Sequence, residues 1–141
     1  MIMKNLLILI ATAILSAQTA RAIEPLNPRF LKALNQVEAS GKHGNILGDK
    51  GKALGGYQIH HIYWKDACSF DKTLLRGKYT DVTNQAYAER VVTAYLNKYA
   101  PAAIKGSDYI LLARIHNGGP RGGQNKATLP YASRIQSLLS K

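Results

Sequence analysis

The chain has 141 residues, a formal charge of +11 and 46% hydrophobic residues. That is one domain's worth of length, and so positive a charge suits polyanionic partners: wall polymers, lipid headgroups or nucleic acid. No Lys/Arg run is interleaved with aromatics and no His/Cys cluster has zinc spacing, so no nucleic-acid partner, metal or cofactor is expected.

The first 22 residues read as a signal peptide. Lys4 supplies a positive start, Leu6 to Leu15 an apolar stretch, and Ala20-Arg21-Ala22 a small-x-small cleavage pattern. That stretch would rise only ~15 Å as a helix, about half a bilayer core, which argues against a spanning anchor. Residues 23–141 are then one domain, expected to be secreted or periplasmic, monomeric and without stable membrane insertion. Losing Lys4 and Arg21 lowers its formal charge from +11 to +9. Cys68 is the single cysteine. It has no partner for an internal disulfide and reads as a small buried apolar residue rather than a nucleophile.

The first helix should start after Asn27, a good cap, with Pro28 at its first position and Gly41 as its stop. Phe30, Leu31, Leu34 and Val37 form its apolar stripe. Residues 44–58 are rich in Gly and short polar residues, which suggests turns and a small hairpin. A short helix is expected over His60 to Cys68, and a long one from about Asp81 to Ala100, ended by Pro101. Another begins at Ser107 and stops at Asn117-Gly118-Gly119-Pro120. A last one runs from about Thr128 with Tyr131, Ile135, Leu138 and Leu139 on one side. The sum is α+β, mostly α.

Most of the acidic residues read as surface groups: Asp81 and Asp108 at helix starts, Glu89 on a polar face. Glu38 differs. It sits at the edge of an apolar stripe and in the last turn of its helix, where burial and the helix dipole both push a carboxyl pKa upward. A carboxyl that keeps its proton near neutral pH suits a general acid. Asp49 lies eleven residues later in the Gly-rich excursion. Glycosidic cleavage uses two flanking carboxyl groups, but Gly48-Asp49-Lys50-Gly51 is also ordinary turn chemistry, and spacing leaves both readings open.

Three segments carry a resemblance. Val37-Glu38-Ala39-Ser40-Gly41 comes first, then Gly48-Asp49-Lys50-Gly51-Lys52-Ala53-Leu54-Gly55-Gly56-Tyr57-Gln58-Ile59, and later Ala113-Arg114-Ile115-His116-Asn117-Gly118-Gly119-Pro120. In this order they resemble the lysozyme superfamily, most of all invertebrate-type lysozymes and bacterial proteins close to them, and also the soluble lytic transglycosylases. The resemblance implies a lysozyme-like fold with a groove between two lobes. It implies Glu38 as catalytic acid and Asp49 as second carboxylate, with Ser40, Tyr57, Gln58, His60, His116, Asn117 and Gly118 as sugar-binding residues. The chain departs from the pattern in having Ala39 where many relatives have Ser, and in lacking the disulfides of invertebrate-type lysozymes.

The implied activity is a muramidase acting on peptidoglycan glycan strands. A lytic transglycosylase using Glu38 alone and a non-catalytic cationic wall binder are the alternatives. Plainer roles stand beside these: Gln58 as the tie of a turn, and His116 to Pro120 as a helix stop.

Overall fold

The computed structural model describes residues 21–141. The expected signal peptide therefore lies outside the described residues, apart from Arg21 and Ala22. Among the described residues no helix is long and apolar enough to cross a membrane.

Helix α1 spans Pro28–Ala39, and the Asn27 side chain accepts from the Arg29 amide at 2.8 Å. Phe30 and Leu34 are fully buried, while Leu31 and Val37 are only partly covered. The inward face centres on Phe30, Ala33 and Leu34 because α6 packs along one flank of α1. Ser40 ends the helix in the left-handed conformation (φ 53) and Gly41 continues it (φ 77), as a helix stop requires.

The Gly-rich excursion forms a three-stranded antiparallel sheet of two-residue strands. These are β1 (Leu47–Gly48), β2 (Ala53–Leu54) and β3 (Ile59–His60), in the order β1-β2-β3. Strands this short need outside anchors. Buried Asn35 of α1 donates its amide to Lys42 O at 2.8 Å and Gly56 O at 2.9 Å. The Tyr79 hydroxyl donates to Ile59 O at 2.7 Å.

Helix α2 (His61–Phe70) packs on α3 (Gln85–Tyr99) through Tyr63 and Tyr95, stacked with ring centres 3.5 Å apart. The start of α3 corrects the expectation of a helix from Asp81. Residues Tyr79–Thr83 form a separate 3-10 turn, which buries Val82. Asp81 accepts from the Lys78 amide within it, and Asn84 caps α3 instead. Pro101 does end α3, and it also opens a short helix, α4 (Pro101–Lys105), because the first helical position needs no N–H. Helix α5 spans Tyr109–Gly118, capped by Asp108, and α6 spans Leu129–Leu139.

One core joins these helices, with Phe30, Leu34, Val91, Val92, Leu96, Leu112 and Ile135 all fully buried. Cys68 lies in it, and burial pushes its thiol pKa up, away from nucleophilic use. The architecture is mostly helical with one small sheet, as the periodicity led one to expect.

Candidate active site

Glu38 leaves the last turn of α1 with its side chain 18% exposed. Its Oε1 accepts from the Tyr131 hydroxyl of α6 at 2.7 Å. His116 Nε2 of α5 lies 3.5 Å from the same oxygen. His116 is itself buried, and its Nδ1 is 2.9 Å from the Tyr63 hydroxyl of α2. Four helices thus converge on one carboxyl group.

The upward pKa expected for Glu38 is not what this environment produces. Burial does push it up and is the largest single influence. The His116 hydrogen bond and charge, the Tyr131 hydroxyl and the Arg134 guanidinium push it down, and together they outweigh burial. The carboxyl therefore lies below its ordinary value in the free protein. Burial and the helix dipole are local and show in the sequence, but these lowering groups come from helices distant in the chain and leave no local signal.

Asp49 follows β1 in a left-handed conformation (φ 46), and its neighbour Lys50 shares it (φ 56). Left-handed backbone is uncommon outside Gly, and Asp is among the residues that tolerate it best. The Asp49 side chain is 59% exposed, with His60 Nε2 3.4 Å from its Oδ2. Each candidate carboxylate thus has a histidine beside it. A pocket of about 240 Å³ between α2 and the end of α5 is lined by both histidines, with Tyr63, Asp66, Tyr95 and Asn117 among its other walls.

The remaining predicted residues divide. Tyr57 is 1% exposed, and its hydroxyl donates to Glu89 at 2.9 Å. It lies in the core, with its hydroxyl turned to α3. Glu89 is accordingly no plain surface group, and it also accepts from Gln85. Gln58 (φ 49) uses its amide to tie Ile46 O at 3.2 Å and Gly55 O at 2.9 Å, the turn-holding role. Ser40, Asn117 and Gly118 are exposed, though a side chain at Gly118 would meet the Thr128 methyl. Trp64 is held by its indole N–H on the Tyr87 hydroxyl at 2.8 Å. Among the described residues no group of three or more His, Cys, Asp or Glu has the arrangement of a metal site.

Sequence reasoning missed Tyr131 and Tyr63 as partners of the site. Both read as apolar-face residues, since a phenol at a helical core position carries no mark of where its hydroxyl ends. It also missed Asn35, whose burial at the edge of a helix stripe was the one available sign.

The family model described as Destabilase matches residues 29–138. The chain is 35% identical over 117 residues to Lysozyme 1 of Crassostrea virginica, covering 79% of this chain and 59% of that protein. It is 29% identical over 122 residues to a lysozyme of Meretrix lusoria, covering 80% of this chain and 90% of the other. The chain thus spans about three fifths of the length of some of these relatives. The crystal structure of Tapes japonica lysozyme matches with a TM-score of 0.65 at 26% identity, covering 79% of this chain and 89% of that one. The family match runs from the first turn of α1 into the last turn of α6, and the chain belongs to the destabilase family, with bivalve lysozymes as relatives and a lysozyme-like fold.

Proposed function

We propose that this domain is a muramidase, hydrolysing β-1,4 links between N-acetylmuramic acid and N-acetylglucosamine in peptidoglycan. Glu38 protonates the leaving oxygen, Asp49 stabilises or traps the oxocarbenium centre, and water completes the reaction with Glu38 as base. The observation that carries this reading is the Glu38 carboxyl itself: mostly buried, with Oε1 held and no partner for Oε2 among the described residues. The lysozyme relatives support it. An acid must be protonated when it acts. Burial is already the largest influence on Glu38, and a sugar laid over it adds to burial, so substrate raises its pKa toward the working range.

The protein acts after export, secreted or periplasmic, as a monomer drawn to an anionic wall by its positive charge. Replacing Glu38 by Gln removes the transferable proton and keeps the shape. Loss of wall lysis by a folded Glu38→Gln protein is expected, and full lysis would sink the reading. Killing of intact cells that survives this change would point to a non-catalytic wall binder.

The exposure of Asp49 favours a second reading, lytic transglycosylation, which needs Glu38 alone. Mass spectrometry of the released muropeptides separates the two. Hydrolysis leaves reducing ends, and transglycosylation leaves anhydro ends lighter by one water.

A further inference from the structure

We propose that Tyr131 is a positioning residue for Glu38: together with His116 it fixes Oε1 and leaves Oε2 as the oxygen that meets the glycosidic bond. The inference rests on the reading of Glu38 as the acid. A carboxyl at a helix end can turn about its last bond and present either oxygen. Here the rotation is restrained by one hydrogen bond and one ring nitrogen that converge on a single oxygen. The Tyr131 hydroxyl lies 2.7 Å from Oε1, a short charge-assisted bond. His116 Nε2 lies 3.5 Å from the same atom.

Both groups are held in place. Tyr131 is 5% exposed on the inner face of α6. The His116 ring sits edge-on to Tyr63, 5.4 Å between centres, with the Tyr63 hydroxyl on Nδ1 and Tyr63 stacked on Tyr95. Burial pushes the phenol of Tyr131 well above its ordinary pKa, so it keeps its proton and serves as a standing donor to Oε1. The groups facing Glu38 are Tyr63 from α2, His116 from α5, and Tyr131 and Arg134 from α6. The arrangement lowers the proton affinity of the acid in exchange for a fixed direction of attack.

The test uses Tyr131→Phe, which keeps the ring and removes the donor. The titration of the Glu38 carboxyl carbon is followed by NMR, with Glu38→Gln identifying its resonance, and kcat and KM are measured on purified peptidoglycan across pH. The midpoint should move to higher pH, because a hydrogen bond to the ionised form is gone. On the acid plateau kcat should fall roughly tenfold, within the ~10²-fold that an ångström of misplacement can cost, with KM unchanged. His116→Gln, an independent change on another helix, should move the midpoint in the same direction. An unmoved midpoint in both variants, or a loss confined to KM, overturns the inference. A fully lytic Glu38→Gln protein overturns instead the reading beneath it, whatever the titration shows.

Discussion

His60 Nε2 lies 3.4 Å from Asp49 Oδ2 because of sheet register. Gly48 pairs with Ala53 and Ala53 with His60, so the three stand in one row across the sheet, and Asp49 directly follows Gly48. Glu38 and Asp49, eleven residues apart, each stand beside a histidine, and the two histidines line one pocket.

Asp49→Asn decides between the two chemistries. If Asp49 stabilises the oxocarbenium centre, the rate of lysis should fall roughly 10²-fold or more. Full lysis with anhydro products would assign the site to transglycosylation. His60→Ala should cost less, since its pair with Asp49 is largely exposed and screened by salt.

The low pKa of Glu38 sets the pH dependence. An acid works only when protonated, so kcat/KM should fall as pH rises through the free-protein value, which lies below the ordinary 4.5. The kcat limb should lie higher, because bound sugar adds burial. Stability runs the other way. A carboxyl whose folded pKa is depressed adds stability above its ordinary value of 4.5, and that contribution is lost as pH falls through the folded value. Urea denaturation across acid pH should show the loss in the wild type and a smaller one in Glu38→Gln.

Asn35→Ala should uncouple the two carboxylates. It strips the donor from Lys42 O and from buried Gly56 O, at a cost of about 1–3 kcal/mol for a buried acceptor left unpaired. Because these bonds fasten the sheet to α1, lysis should fall further than stability alone explains. A variant that loses stability but lyses normally would show that the sheet needs no such tie.

Gly122→Ala should be more damaging than Gly48→Ala. A side chain at Gly122 would run into the backbone at Arg114 and Ile115, which cannot yield. Overpacking of that kind costs about 1–3 kcal/mol, and it bears on α5 next to His116. At Gly48 the obstacle is the Gln58 side chain, which can swing aside and give up its two turn bonds. Denaturation midpoints for the two variants, measured side by side, check the order.

Five of the six helices were legible in the sequence, all but α4, since their signals are local: Asn27 with Pro28 for α1, the run from His60 to Cys68 for α2, the stripe of α3, Asp108 at the start of α5 and the apolar side of α6. The start of α3 was misplaced because Asp81 and Asn84 are equally good caps by type. The choice fell to Asn84 once Val82 was drawn into the core as part of its own turn. Among the site residues, Tyr57 shows the limit most clearly. Its place in the motif suggested a sugar contact, yet its hydroxyl is spent on Glu89, 32 residues away.

By itself, then, the sequence determined the basic charge, the order of helices around one Gly-rich excursion, and Glu38 as an unusual glutamate at the end of α1. Those depend on neighbours within a few residues. Only the tertiary structure decided the state of that glutamate. Tyr131 is 93 residues from it in the chain, and with His116 and Arg134 it reverses the pKa shift that local burial alone would give. The register of the sheet, likewise, set His60 beside Asp49. Hydrogen-bond donors act over about 3 Å of space and are indifferent to distance along the chain, so no reading of local pattern could have supplied them.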